Sequence, residues 1–416
     1  MPSPSQAGGL FRGWLVVSGA FAVTFVGFGS AYTFSAFLES LQKDFGASRG
    51  SVSLVFSLAG FLYFALGVAS GPLADRFGVR TITAIGMVLV GAGLALAGTA
   101  RNLLQVDLAY GLGVGLGVGF SYVPAVAVVQ RWFVRKRGVA SGLAVSGIGI
   151  GTLAMPPLAS WLIEQIGWRQ AYVALGAIAL VAGVAAALLL RDDPRQRGLL
   201  PDGDAPAPGA AVSPPGGVAL GDAMRSPLFI GLYVACLVCS FGLFVPFAHL
   251  VPYALDHGVA SSRAVLLLGV IGVGSTAGRF LLGGLADRVG RHRALVGMFA
   301  GMALAMAIWS LSRAWLSLAL FAFAYGVFYG GFVAILPALV MDRFGARRLS
   351  SIIGVLYTSV AFGTLVGPAA AGFAYDVAHD YRWPIIGAAV ANAIAAAIVA
   401  VLAGAPSTRA VRRSIA

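Results

Sequence analysis

Arg279 is an arginine inside an apolar stretch, residues 265–285, that is long enough to cross a bilayer. A guanidinium near the middle of a membrane helix costs about 2.5–3.5 kcal/mol on insertion scales, so it should face a cavity or a partner. The sequence places no Asp or Glu at a comparable depth to neutralise it. Because a guanidinium binds a carboxylate through two parallel hydrogen bonds, Arg279 predicts a site for an exchangeable anion. The alternative is a structural arginine that is capped by backbone carbonyls or reaches a membrane surface.

His249 is the second residue whose chemistry suggests a function. It follows Pro246 by three residues, toward the outer end of an apolar run, whereas the other histidines lie outside the predicted spans. An unperturbed imidazole titrates near pH 6.5, which suits proton exchange close to neutrality. His249 is therefore the predicted proton-coupling residue, and a hydrogen-bonded structural histidine is the alternative.

Aromatic residues and small hydroxyls complete the predicted site. Phe28 and Tyr32 are four residues apart, as are Tyr325 and Tyr329, so each pair shares one helix face. Small-molecule sites have mostly apolar and aromatic walls with a few polar groups, although packing explains any single one of these residues equally well. The predicted substrate-binding residues are Arg279, Ser275, Phe28, Tyr32, Tyr122, Tyr329 and Tyr357.

Other chemistry is not supported by the residue pattern. Cys236 and Cys239 lie in one apolar run with no second pair or nearby His, which favours packing over a metal or redox site. We find no nucleophile–base pair, metal-ligand cluster or phosphate-binding loop in the sequence. The sequence therefore predicts neither an enzyme nor a cofactor or metal site.

The composition places these residues in a membrane. The chain is 416 residues long, 59% hydrophobic and only 10% charged, with a mean hydropathy of +0.90. Runs of about 20 apolar residues recur, which indicates a helical protein with many spans and excludes a barrel of short alternating strands. The net charge of +13 sits in short clusters between these runs, so it argues for membrane topology and against nucleic-acid binding.

Twelve spans are predicted in two groups of six. Residues 1–190 form an N-terminal bundle and residues 227–416 a C-terminal bundle, while residues 191–226 form a Pro- and Gly-rich cytoplasmic linker. Twenty Lys and Arg residues fall on one side of this arrangement and seven on the other, which predicts that both termini are cytoplasmic. The predicted spans are 13–38, 51–73, 81–99, 103–130, 137–163, 170–190, 227–252, 264–286, 294–312, 315–341, 349–375 and 383–404.

The two groups repeat each other. GPLADRFGVR at 71–80 returns as GGLADRVGRH at 283–292, and the same offset of 212 relates Arg131 to Arg343. Parallel repeats of this kind place a ligand site at the midplane between the halves. Arg279 has Gly67 as its repeat mate, so the C-terminal half alone supplies the cation. The predicted conformational latch comprises the charged residues of the two copies, Asp75, Arg76, Asp287 and Arg288.

The repeated G-x-L-A-D-R-x-G segment resembles the signature of the major facilitator superfamily of transporters. The resemblance implies an all-α fold of twelve transmembrane helices and alternating access by rocking of two bundles. Two further stretches resemble the monocarboxylate porter family and suggest a bacterial member of it. They are Arg12-Gly13-Trp14 and RWFVRKRGVASGLAVSG at 131–147. In that family an arginine of the eighth helix pairs with the substrate carboxylate, and Arg279 occupies that position.

The sequence departs from animal members of the family at two positions. Ser275 stands where they have an Asp, and the region from Phe28 to Phe34 lacks their Lys, so the proton carrier is not transferred by resemblance. Related oxalate/formate exchangers carry a second cation in helix 11, which is absent after Tyr357-Thr358. A site with one buried positive charge is better matched by a substrate with one carboxylate than by a substrate with two.

The sequence thus predicts a multi-pass transporter of small monocarboxylates such as lactate or pyruvate, in a cell inner membrane. Its predicted partners are the monocarboxylate anion, a proton and the lipid bilayer, and it is expected to act as a monomer. An oxalate/formate-type antiporter and a transporter-like ligand sensor are the alternatives. Drug export is weaker, because efflux pumps more often bury an acid than a lone arginine.

Overall fold

The fold is all-helical in a computed structural model that describes residues 12–133, 137–192, 194, 202, 217–345 and 348–402. The only pairing of extended backbone in these ranges is an isolated bridge between Gly217 and Gly345. The predicted linker, 191–226, and both chain ends lie largely outside the described residues. The division into two bundles joined by a linker therefore stays a prediction.

The long helices of the described residues are numbered α1 to α12, one for each predicted span. Six of them are bent or merged with a neighbour, and a short helix, Leu220–Met224, precedes α7. Their bounds are α1, Gly13–Tyr32 continued by Phe34–Phe45; α2, Arg49–Ala65 continued by Gly67–Phe77; α3, Val79–Gly98; α4, Leu103–Val106, the π-helical Asp107–Leu112 and Gly113–Trp132; α5 and α6, both within Arg137–Leu189; α7, Pro227–Leu243 continued by Val245–Asp256; α8, Ser261–Val289; α9, Arg291–Leu311; α10, Trp315–Phe344; α11, Leu349–Ala378; and α12, Arg382–Leu402.

The count of twelve depends on two breaks. By length and hydropathy, ten described helices can cross a membrane, and the two parts of α2, bent by 47°, make an eleventh span. Arg137–Leu189 would be about 80 Å long as one straight helix, far more than the bilayer requires. Gly167 interrupts it with a φ of 77°, which glycine adopts without a steric penalty. The segment is therefore two spans, α5 (137–166) and α6 (168–189).

Glycine sets how closely the helices approach, as expected where lipid supplies little driving force for helix association. Between the halves, α2 packs along α11, and α5 packs along α8. At the second of these contacts a Cβ on Gly149 would lie 2.7 Å from the carbonyl oxygen of Gly272 and would also contact the Thr276 hydroxyl. This interface has no room for a methyl group at residue 149.

We expect Gly149→Ala to lower the melting temperature of the purified protein in detergent, because the added Cβ meets the backbone of α8. Gly297 in α9 is the matched control, since a Cβ there meets nothing within 4 Å. Gly297→Ala should leave stability unchanged or raise it by up to about 1 kcal/mol through helix propensity. Equal melting temperatures for the two variants would contradict this description of the interface.

Candidate functional site

Arg279 is buried in α8, with 7% of its surface exposed. Its Nη1 donates a hydrogen bond of 2.7 Å to the carbonyl oxygen of Val145, which belongs to α5 of the other half. Nε and Nη2 are buried and have no hydrogen-bond partner among the described residues. One edge of the guanidinium fork is therefore open, and it is the edge that binds a carboxylate through two bonds.

A cavity of about 350 Å³ lies beside this guanidinium, between the two halves. Helices α4 and α5 form one wall, and α8, α10 and α11 form the other. The lining is mainly apolar, with Val126, Phe280 and Ile353 among its residues. Its polar groups are Arg279, Tyr122, Tyr357, Gln130 and Ser141. Such a mixture of apolar wall and few polar groups is typical of small-molecule sites.

Four tyrosines from four helices surround Arg279. Its guanidinium interacts electrostatically with Tyr329, Tyr122, Tyr32 and Tyr357. Phe28 contacts Tyr122 edge-on, with ring centroids 5.0 Å apart. The structure thus brings the predicted aromatic residues of α1, α4, α10 and α11 to one place around the arginine. Their role in binding stays a prediction.

Ser275 and Tyr325, also singled out in the sequence, lie in packed positions. Ser275 is buried one turn before Arg279, where Gly326 and Gly330 of α10 approach its backbone, and it does not line the cavity. Its hydroxyl has no partner among the described residues. Tyr325 donates a short hydrogen bond to the carbonyl oxygen of Leu243, which is a bond between helices. Neither side chain is presented to the cavity as Arg279 is.

His249 is fully buried in α7 and is hydrogen-bonded on both ring nitrogens. Nε2 lies 2.8 Å from the carbonyl oxygen of Pro368, and Nδ1 lies 2.9 Å from the Tyr381 hydroxyl. Because a carbonyl only accepts, Nε2 carries the hydrogen, and a neutral imidazole receives the Tyr381 proton at Nδ1. The Ser53 hydroxyl of α2, in the other half, lies 3.4 Å from Nε2.

An ionic cluster that sequence reasoning missed closes the predicted outer side, and we call it the outer lock. Its members are Arg49 of α2, Asp256 of α7, and Asp376, Tyr375 and Tyr381 from the region of α11 and α12. Arg49 donates from Nη1 and Nη2 to the two carboxylate oxygens of Asp256, at 2.5 and 2.7 Å. Its guanidinium carbon lies 4.0 Å from the centre of the Tyr375 ring.

The outer lock also includes a cap between the halves. The Asp376 carboxylate accepts hydrogen bonds from the backbone N–H groups of Arg49 and Gly50, at 2.9 and 2.8 Å. A carboxylate of α11 therefore caps the start of α2, where the helix dipole favours a negative charge. Arg49 Nη1 also donates to the Tyr381 hydroxyl at 3.2 Å, which connects the lock to His249.

The predicted latch on the opposite side is only partly described. Arg76 and Arg288 are exposed at the ends of α2 and α8. The side chains of Asp75 and Asp287 lie outside the described residues, so the latch stays a prediction. The cavity lies toward this side, since Gln130, Met341 and Leu349 of its lining are near the loops predicted to be cytoplasmic. The halves are thus joined on the predicted outer side and separated by a cavity toward the predicted cytoplasmic side.

The chain matches the family model described as Major Facilitator Superfamily over residues 20–312 and 236–415. It is 31% identical to monocarboxylate transporter 12-B of Danio rerio, over 89% of this chain and 82% of that protein. It is 30% identical to monocarboxylate transporter 11 of Homo sapiens, over 89% and 78% of the respective chains.

Among solved structures, a bacterial homologue of the human lysosomal transporter Spinster, in an inward-facing and unoccupied conformation, matches 94% of this chain and 97% of its own. Its TM-score of 0.71 at 16% identity shows that the two proteins share a fold. The predicted all-helical major facilitator fold is thereby confirmed, while the twelve spans and the cytoplasmic termini stay predictions. The chain belongs to the major facilitator superfamily of membrane transporters and, within it, to the monocarboxylate transporter family.

Proposed function

We propose that this protein is a secondary active transporter that moves small monocarboxylates, of the lactate and pyruvate class, together with a proton by alternating access. The observation that carries the proposal is the open edge of Arg279, with two unpartnered N–H groups beside a cavity between the halves. The curated relatives are themselves named as monocarboxylate transporters, which supports the same substrate class.

The charge of Arg279 explains why the substrate should be an anion. Val145 satisfies one N–H group with a neutral carbonyl, which leaves the positive charge uncompensated by any described carboxylate. A monocarboxylate that occupies Nε and Nη2 would neutralise this charge and satisfy both donors together. The hydroxyls of Tyr122 and Tyr357, which line the cavity, would then give further hydrogen bonds, and the apolar lining would contact the carbon skeleton of the substrate.

The number of cations in the cavity favours a substrate with one carboxylate. Arg279 is the only Lys or Arg among the described residues that line it. A dicarboxylate would bring a second negative charge into a low-dielectric site without a matching cation, which is costly. This argues against the oxalate exchange considered as the alternative. We also propose that the functional unit is a monomer in a cell inner membrane.

The contacts of His249 give a route for proton coupling. Protonation places hydrogens on both ring nitrogens, so Tyr381 can no longer donate to Nδ1 and has to accept from it. The same hydroxyl accepts from Arg49, whose other bonds hold the halves together. A proton on His249 therefore alters the outer lock through one shared hydroxyl, and this would link proton binding to opening of the outer side.

We expect Arg279→Gln to abolish, and Arg279→Lys to reduce at least tenfold, the uptake of labelled lactate into proteoliposomes under an inward proton gradient. The lysine keeps the charge but lacks the planar fork. Arg101→Gln, on the outer surface, is the matched control and should transport normally. Uptake by Arg279→Gln at the rate of the unmodified protein would refute the assigned substrate site.

We expect His249→Gln to lose pH-driven uptake but to retain exchange of labelled for unlabelled lactate at equal pH. Exchange needs the anion site but no net proton movement, so the two assays separate coupling from binding. Undiminished pH-driven uptake by His249→Gln would show that His249 does not couple proton binding to transport. Loss of both activities would instead assign His249 a structural role in the fold.

We expect Asp376→Asn to weaken the outer lock, because the cap on α2 loses its charge. The readout is the rate at which a membrane-impermeant maleimide labels a cysteine placed at Ser57, a buried position of α2 below the lock. Labelling should become several-fold faster than with the lock intact. The control is Asp44→Asn, which removes the Arg169–Asp44 ion pair within the N-terminal half and should leave the rate unchanged. Equal rates in both backgrounds would show that Asp376 does not hold the outer side closed.

A further inference from the structure

The polar side chains that line the cavity at Arg279 differ in how their polar atoms are satisfied. They belong to Arg279, Tyr122, Tyr357, Gln130 and Ser141. Among the described residues of this lining, only two have polar side-chain atoms that are both buried and without a hydrogen-bond partner. These atoms are Nε and Nη2 of Arg279 and Oγ of Ser141. The proposed carboxylate site uses the arginine and gives the serine no role.

The Ser141 hydroxyl also differs from the other hydroxyls of its helix. A serine or threonine within a helix often donates to a backbone carbonyl three or four residues earlier. In α5, Ser146 and Thr152 do so, to the carbonyl oxygens of Leu143 and Ile148, both at 2.7 Å. Within the part of the chain that the structure describes, Ser141 makes no such bond. Five other serine hydroxyls in the described ranges are buried and unpartnered as well, but none of them lines this cavity.

Ser141 and Arg279 reach the cavity from opposite halves of the molecule. Arg279 of α8 donates to the Val145 carbonyl of α5, and Ser141 lies one turn before Val145, about 6 Å along the helix. A Cβ on Gly142, the neighbour of Ser141, would lie 3.4 Å from the ring of Phe280, the neighbour of Arg279. The two helices therefore pack side by side along this stretch. The serine is thus held about one helical turn from the carbonyl that the arginine binds.

A ligand with a carboxylate alone satisfies only part of this site. Its two oxygens pair with the open edge of the Arg279 fork, and the buried Ser141 hydroxyl stays unpaired, which is costly. An oxygen on the carbon next to the carboxylate would give that hydroxyl a partner. A hydroxyl both donates and accepts, so Ser141 can pair with a 2-oxo group or with a 2-hydroxy group. Because it turns about a single bond, it can point into the cavity while α5 stays in place.

We propose that Ser141 binds the oxygen at carbon 2 of the substrate and thereby selects 2-hydroxy and 2-oxo monocarboxylates over unsubstituted acids of the same chain length. The inference rests on the proposed function, in which Arg279 holds the carboxylate. Selection follows because a site that hydrogen-bonds a substrate hydroxyl strongly disfavours the analogue that lacks it. Ser141 belongs to the N-terminal half and Arg279 to the C-terminal half, so one small substrate is bound by both.

The test compares lactate with propionate, which has the same carbon chain without the oxygen at carbon 2. Uptake of each labelled acid into proteoliposomes is measured as kcat/KM under the same inward proton gradient. We expect the unmodified protein to favour lactate roughly tenfold or more. Ser141→Ala should lower kcat/KM for lactate about tenfold, because the oxygen at carbon 2 loses its partner, and should leave kcat/KM for propionate unchanged.

Two variants serve as matched controls. Ser141→Thr keeps a hydroxyl at the same position and should keep the preference for lactate. Ser146→Ala makes the same change on the same helix, at a hydroxyl that is bonded to the Leu143 carbonyl and lies outside the cavity lining. It should also keep the preference. A preference lost to the same extent in Ser146→Ala as in Ser141→Ala would overturn the proposal.

Failure of this inference and failure of the proposed function give different results. Equal uptake of the two acids by the unmodified protein would overturn the role of Ser141 and leave monocarboxylate transport standing. So would an equal loss of both acids in Ser141→Ala at an unchanged melting temperature. Uptake of neither acid by the unmodified protein would overturn both proposals. As a readout that needs no transport, the rise in melting temperature with lactate should exceed that with propionate, and Ser141→Ala should remove this difference.

Discussion

The guanidinium of Arg279 carries a full charge at a buried position, and among the described residues its hydrogen-bond partner is one neutral carbonyl. A buried charge in a low-dielectric setting is tolerated only when the surrounding structure supplies dipoles or a partner. The tyrosines around it and the adjacent cavity are best understood from this constraint. The dipoles reduce the cost of burial, and the cavity leaves space for a counter-charge.

The constraint acts on an architecture whose two halves touch in different ways at their two ends. At the predicted outer end, Arg49 combines a bidentate ion pair, a ring contact and a helix cap, and each of these crosses between the halves. Toward the opposite end, which is predicted to be cytoplasmic, a cavity replaces such contacts. Charge-assisted hydrogen bonds in a partly buried cluster are directional and share donors and acceptors, so a change in one member affects the others. His249 lies one hydroxyl away from Arg49, so a proton on its ring would change a hydrogen bond that the cluster shares.

Much of this could be predicted from the sequence, because the signals are local or periodic. Apolar runs of membrane length gave the helices, and an arginine in such a run is costly enough to indicate a cavity, which the structure places beside Arg279. The four-residue spacing of Phe28 and Tyr32 was sufficient to place them together. The outer lock left no such signal. Arg49 and Asp256 are 207 residues apart, and in the sequence each resembles an ordinary charge at the end of a span. The packed position of Ser275 was equally hidden, since helix spacing does not show which neighbour fills the space beside a residue.

The bond between Arg279 and Val145 has a consequence for the two faces of the membrane. Its donor and acceptor belong to opposite halves, so any rotation of one half against the other changes its length. Once this hydrogen bond breaks, the Nη1 N–H group of Arg279 becomes available to a bound anion as a third donor. The residues that line the pocket stay the same. The strength of binding would then differ between inside and outside through geometry alone. Such a carrier would take up its cargo more tightly on one face than it holds it on the other.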